Sequence, residues 1–150
     1  MTRILFICHG NICRSPMAEF VCRDMVEKLG RGGEFFIASA ATSTEEIGSP
    51  VHPGTRRKLE ELGIACGGKR AVQARREDYD RYDYLIVMDG LNLRNLRRII
   101  PEDPGEKIHR LLDFTGRGGD IADPWYTGNF DDTLRDIQEG CRGLLEHILA

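Results

Sequence analysis

The sequence predicts an α/β fold: one domain over residues 1–150, built as three αβα layers around a four-stranded parallel sheet. Three observations predict it. Short runs rich in β-branched and aromatic residues alternate with stretches whose apolar residues recur at helical spacing. The first run is apolar without interruption, as a strand buried on both faces must be. Alternating strands and helices also impose right-handed crossovers, which lay successive strands parallel and cover both faces of the sheet.

Taken in order, Arg3 to Ile7 is the first strand. Ser15-Pro16 supplies a capping hydroxyl and a proline at the first helical position. Met17, Val21, Met25 and Leu29 form the apolar stripe of that helix, and Gly30 ends it. Phe35 to Ala38 is the second strand, and Gly54 to Leu62 a short helix stopped by Gly63. Asp83 to Met88 is the third strand, followed by a helix from Leu91 to Ile99 and a fourth strand from Lys107 to Leu112. The last helix carries Leu134, Ile137, Cys141, Leu144, Leu145 and Ile148 on one face, with Asp131 and Asp132 at its positive end.

Composition narrows the function. Hydrophobic residues are 41% and charged residues 30% of the chain, as in globular proteins and unlike disordered or fibrous ones. A net charge of -3 argues against a nucleic-acid partner, which basic surfaces bind. The opening apolar run is too short for a membrane span or a signal-peptide core, so no membrane partner and a cytoplasmic location are expected, with leaderless secretion left open. The five cysteines, an odd number at irregular positions and without a Cys-x-x-Cys pair, read as free thiols rather than disulfides or zinc ligands. No metal and no cofactor are expected.

In open parallel sheets, ligands sit beyond the carboxyl ends of the strands. Immediately past Ile7 comes Cys8-His9-Gly10-Asn11-Ile12-Cys13-Arg14-Ser15-Pro16. A loop leaving a buried strand and entering a helix aims its N–H groups and the helix dipole at one point, which suits an anion. Gly10 and Asn11 are the residue types that tolerate the left-handed backbone such a nest needs. With five residues between them, Cys8 and Arg14 can face the same bound phosphate, the sulfur in line with the leaving oxygen and the guanidinium forking onto two others. The same positive groups favour a thiolate at Cys8, and Ser15 can donate to its sulfur. A purely structural strand-to-helix loop needs neither the cysteines nor the arginine.

This segment resembles the Cys-x-Gly-Asn-x-Cys-Arg-Ser-Pro signature of the low-molecular-weight protein tyrosine phosphatases. The resemblance spans nearly the whole chain. Gly48-Ser49-Pro50-Val51-His52-Pro53 with Leu59 and Leu62-Gly63-Ile64, Asp83-Tyr84 with Met88-Asp89 and Asn92-Leu93, and Asp123-Pro124-Trp125-Tyr126 all look like blocks of that family. It implies a cysteinyl-phosphate mechanism on phosphotyrosine proteins or peptides, with inorganic phosphate as product and a monomer or weak homodimer as the working form. Cys8 would be the nucleophile and Arg14 the phosphate binder. His9, Gly10, Asn11, Ile12, Cys13 and Ser15 would complete the substrate site.

Read from the residues alone, no carboxylate stands out decisively as the proton donor, and Asp123-Pro124 equally suits a turn that packs Trp125. The resemblance assigns Asp123 as general acid and then base, and makes Trp125 and Tyr126 a wall for the substrate ring. On the other wall the family usually carries apolar or aromatic groups, whereas Glu45 and Glu46 occupy it here, which suggests a preference for basic residues beside the phosphotyrosine. Ile12 favours phosphotyrosine over phosphoarginine, since related arginine phosphatases typically have threonine there. Cys13 either packs beneath the nest or, as the family implies, forms a protective disulfide with Cys8. His9 is expected to face solvent, His52, His109 and His147 to be surface or turn residues, Asp89 and Asn92 to hold loops or caps, and Arg70 to brace the loop network. Two rivals stay open: a phosphoarginine phosphatase, and a non-enzymatic phosphate-binding or redox module.

Overall fold

The computed structural model describes residues 1–150. In chain order it contains β1 (Thr2–Cys8), α1 (Arg14–Lys28), β2 (Phe35–Ala41), α2 (Pro53–Glu61), α3 (Asp78–Arg81), β3 (Tyr84–Val87), α4 (Gly90–Ile99), β4 (Ile108–Arg110), α5 (Pro124–Thr127) and α6 (Phe130–Leu149). Short 3-10 turns occupy Gly32–Glu34 and Leu111–Phe114. All strand pairs are parallel and the spatial order is β2-β1-β3-β4, so the predicted four-stranded parallel sheet is present.

Strand alternation divides the core between the two faces of the sheet. Ile4, Phe6 and Cys8 of β1 and Ile86 of β3 point toward α1 and α6, packing on Met17, Val21, Cys22, Ile137, Cys141 and Leu144. Leu5 and Ile7, with Leu85 and Val87, point the other way onto Leu96 of α4 and Ile100, the residue that follows the helix. Each such large side chain contributes about 1.5–3 kcal/mol by leaving water. The two glycines of α6 set how closely it approaches the 3-10 turn: a Cβ on Gly140 would lie 2.4 Å from Leu111 Cγ, and one on Gly143 2.2 Å from the Phe114 carbonyl oxygen. No helix is long and apolar enough to cross a membrane.

The free edge of β2 is occupied by cations. Arg23 donates through Nε and Nη2 to the Ile37 carbonyl at 3.1 and 2.8 Å, and Lys69 Nζ donates to the Ser39 carbonyl at 3.0 Å. Satisfying these carbonyls and placing charge along the edge blocks pairing with another chain.

The elements depart from the sequence expectations at their ends. β2 runs on to Ala41 rather than stopping at Ala38, because β1 offers a continuous ladder that overrides the weak strand preference of Ser39-Ala40-Ala41. β4 ends at Arg110, and Leu111 and Leu112 instead turn into the core as a 3-10 segment closed by Asp113 accepting the Arg110 N–H at 3.3 Å. The single-turn helices α3 and α5 carry too few residues to show a period. α1 begins at Arg14 with Cys13 in the cap position, so Ser15 lies inside the first turn and caps nothing. That one-residue shift frees the Ser15 hydroxyl for the site.

Candidate active site

β1 ends at Cys8, and residues 9–13 arch from its carboxyl end to the first turn of α1. The carbonyls along the arch are turned outward and held by the scaffold. Cys8 O accepts from Thr42 N–H at 2.9 Å, His9 O from Ser43 N–H at 3.1 Å, Ile12 O from His52 N–H at 2.8 Å, and Cys13 O from the Thr55 hydroxyl at 3.0 Å. The backbone N–H groups of His9 through Arg14 donate to no group of the protein. Unpaired N–H groups are uncommon in so enclosed a segment, and a run of six is the arrangement an anion site requires.

Asn11 makes the arch possible. Its φ of 59° is left-handed, a conformation asparagine tolerates better than most residues. Its side chain, 1% exposed, is held on three sides: Oδ1 accepts from Val72 N–H at 3.1 Å, and Nδ2 donates to the Ser15 hydroxyl at 2.8 Å and the Ser39 hydroxyl at 2.9 Å. Ser15 Oγ, which receives that N–H, lies 3.0 Å from Cys8 Sγ and 3.4 Å from the Ala40 carbonyl oxygen to which it can donate. The Ser15 backbone N–H also reaches Sγ at 3.4 Å. The Ser15 hydroxyl and backbone N–H thus both contact the sulfur. Ser39 extends the chain to Glu19 at 2.5 Å, and Arg23 pairs with Glu19 at 2.6 Å. Burial pushes the Glu19 carboxyl up against the opposing pull of Ser39, Arg23 and Lys69.

Arg14 is 2% exposed and leaves little room for another orientation. Nη1 donates to Asp89 Oδ2 at 2.6 Å and to the Ile121 carbonyl at 2.9 Å, while Nη2 approaches Asp123 Oδ2 at 3.4 Å. Burial opposes the charge on this guanidinium, yet Cys8, Asp89 and Asp123 together outweigh it and hold its pKa above the ordinary value. At Cys13, burial, reinforced by Cys8 and Asp123, pushes the thiol up to about 12, so it stays protonated at neutral pH.

One cavity brings together Cys8, His9, Gly10, Ile12, Cys13, Arg14, Asp123, Trp125 and Tyr126, along with Glu45 and Glu46. Asn11 and Ser15 lie behind it as its frame. Asp123 caps α5 by accepting the Trp125 N–H at 3.0 Å, and Trp125 and Tyr126 are exposed at 57% and 82%. His9 is half-exposed as expected, but it also pairs with Glu45 at 2.8 Å. Glu46 accepts from the Ser49 hydroxyl at 2.9 Å.

Several participants escaped the sequence. Asp89 caps α4 through Oδ1, as expected of it, and additionally anchors Arg14 through Oδ2. Its place just past the carboxyl end of β3 was the available signal. Val72 and Ser39 carried none. His52 is no ordinary turn residue: its Nδ1 accepts from Gly54 N–H at 3.0 Å and its ring meets Phe130 and Trp125. The Arg70 side chain makes no hydrogen bond or ion pair, and the Val72 N–H supports the loop in its stead. No group of three or more His, Cys, Asp or Glu is arranged to hold a metal ion.

Comparison with known proteins agrees with this geometry. The profile of the family described as low molecular weight phosphotyrosine protein phosphatase matches residues 3–150. The chain is 41% identical over 150 residues to low molecular weight protein-tyrosine-phosphatase YfkJ of Bacillus subtilis, covering 99% of this chain and 96% of that protein. The crystal structure of YfkJ superposes with a TM-score of 0.95 over 99% of this chain and 95% of that one. That of SP-PTP, a low molecular weight protein tyrosine phosphatase from Streptococcus pyogenes, does so with a TM-score of 0.89 at 36% identity, over 100% and 95% of the two chains. The chain belongs to the low molecular weight protein tyrosine phosphatases, hydrolases of phosphotyrosine.

Proposed function

We propose that residues 1–150 act as one catalytic domain that hydrolyses phosphotyrosine in proteins or peptides through a phosphorylated Cys8. The observation that carries this reading is the run of unpartnered N–H groups from His9 to Arg14, between Cys8 and the Ser15 N–H that reaches its sulfur. Nothing in the protein competes for these donors, so they are available to the three non-bridging oxygens of a phosphoryl group and to the charge that spreads over them in the transition state. Both Nη1 bonds of Arg14 are used by Asp89 and Ile121, which leaves its Nε and Nη2 edge to fork onto two of those oxygens.

In the first step the Cys8 thiolate attacks phosphorus, the S–P bond forms as the P–O bond to the tyrosyl oxygen breaks, and Asp123 gives its proton to that oxygen. As the phosphoryl oxygens take Nη2, they displace the Asp123 carboxyl from Arg14 and leave it to the leaving group. In the second step water attacks phosphorus, Asp123 takes a proton from it, and the S–P bond breaks to return the thiolate and release inorganic phosphate. The sum is one water consumed and one ester bond cleaved.

Trp125 and Tyr126 offer the tyrosyl ring an apolar wall, while Glu45 and Glu46 supply negative charge at the same cavity and favour basic residues flanking the phosphotyrosine. Cys13 is proposed to trap an oxidised Cys8: peroxide converts the thiolate to sulfenate, Cys13 displaces hydroxide to give the disulfide, and a dithiol returns both thiols. Five free cysteines fit a reducing, cytoplasmic setting, and a monomer or weak homodimer is proposed as the working form.

The test is turnover of phosphotyrosine and phosphoarginine peptides side by side. Cys8→Ser is expected to abolish hydrolysis, and Asp123→Asn to slow it by about 10² to 10⁴ on phosphotyrosine. Full activity in Cys8→Ser, or preference for phosphoarginine, would overturn the reading.

A further inference from the structure

His52 touches three parts of the site at once. Its backbone N–H donates to Ile12 O in the anion loop at 2.8 Å. Its Nδ1 caps α2 by accepting from Gly54 N–H at 3.0 Å. Its ring stacks on Phe130, with centroids 5.2 Å apart and planes 23° apart, and stands edge-on to Trp125 at 5.7 Å and 80°. Phe130 is itself pressed over Gly54, where a Cβ would lie 2.4 Å from Phe130 Cζ.

The segment bearing Asp123 needs such a support. Residues 125–129 are exposed, and Pro124 is the only residue of α5 that is buried. Asp123 is tied to Trp125 by the 3.0 Å bond from the Trp125 N–H to Oδ1. Whatever fixes Trp125 therefore fixes the carboxyl. The two aromatic contacts of His52 do so from a ring whose own backbone is bonded to the anion loop, so acid and anion site share one brace.

We propose that His52 is a positioning residue for the general acid, acting through Trp125 and Phe130 to hold Asp123 over the oxygen that leaves. This rests on the assignment of Asp123 as the acid. A displacement of about 1 Å at a reacting group costs on the order of 10²-fold in rate, so loss of the ring is expected to register in the step that needs the proton.

The test uses kcat/KM on two substrates of opposite demand, phenyl phosphate, whose leaving group needs the proton, and 4-nitrophenyl phosphate, whose leaving group hardly does. His52→Asn keeps an acceptor for Gly54 and removes the ring. It is expected to melt close to the wild type, to lose about tenfold on phenyl phosphate, a part of what general acid catalysis supplies, and less than about twofold on 4-nitrophenyl phosphate. In an Asp123→Asn background the same replacement is expected to change neither rate. His52→Phe, which keeps a ring and loses the acceptor, is expected to melt lower yet retain more of the phenyl phosphate rate than His52→Asn. Equal losses on both substrates, an undiminished loss in the Asp123→Asn background, or equal rates for the two His52 variants would overturn the proposal while the acid assignment stood. Unchanged phenyl phosphate hydrolysis in Asp123→Asn alone would overturn both.

Discussion

Asp89 divides its carboxylate between Arg14 and the first turn of α4: Oδ2 accepts from Arg14 Nη1 at 2.6 Å while Oδ1 accepts from Asn92 N–H at 2.7 Å. The Arg14 guanidinium is thus oriented by a group that is itself locked to a helix. Asp89→Asn keeps the capping oxygen and removes the charge facing a buried cation. It is expected to raise KM for phosphotyrosine peptides several-fold or more and to cost about 1–3 kcal/mol in urea unfolding, the usual loss for a hydrogen bond to a charged group. An unchanged KM would show that Arg14 keeps its orientation without Asp89.

Gly143 is expected to resist the replacement that helix preference would reward. Alanine is favoured over glycine in a helix by about 1 kcal/mol, but its Cβ would lie 2.2 Å from the Phe114 carbonyl oxygen, and backbone cannot step aside as a side chain can. Gly143→Ala should therefore destabilise by about 1–3 kcal/mol through forced separation of α6 from the 3-10 turn. Chemical denaturation gives the value, and a gain in stability would contradict the packing described.

Cys13 makes stability depend on alkaline pH. Its pKa is about 12 in the folded protein against an ordinary 9.0, so the folded state holds the proton more tightly than the unfolded chain does. The corresponding stability is fully present below pH 9.0 and is lost as pH rises toward 12. Cys13→Ala lacks this term, so the difference in unfolding free energy between wild type and variant should shift in the variant's favour above pH 9.0. Parallel curves for the two proteins across that range would refute it.

Glu45 and Glu46 line the same cavity as Cys8 and are expected to set a charge preference that reversal should invert. Peptides with lysine beside phosphotyrosine are expected to exceed those with glutamate by roughly two- to fivefold in kcat/KM, as exposed ion pairs allow. The double replacement by lysine should reverse the order, and the preference should weaken with added salt. Equal rates for both peptides in the native protein would remove the carboxylates from any role in specificity.

The residues that could be read in advance are those whose signal is contiguous. Cys8, Asn11, Arg14 and Ser15 lie within one turn-sized segment between a strand and a helix, and the whole receptor follows from that order because a short arch has few ways to close. Asp123 is different: its neighbours in sequence leave it ambiguous, and only its 3.4 Å approach to Arg14, from 109 residues away, places it at the site. Ser15 was legible as a participant and misread as a cap, because helix boundaries shift by a residue without any change of pattern.

The alternation of apolar runs determined the four parallel strands and their covering helices, since burial on two faces leaves its mark in every residue of a strand. It also pointed to the carboxyl end of β1, where the arch and the cavity over Cys8 are found. Only the tertiary structure decided that Asp89 holds Arg14, that Val72 supports Asn11, and that His52 meets Trp125 and Phe130. Those pairs depend on how crossovers bring distant strand ends and loops to one side of the sheet, and a hydrogen bond or ring contact formed across that gap has no periodicity to betray it.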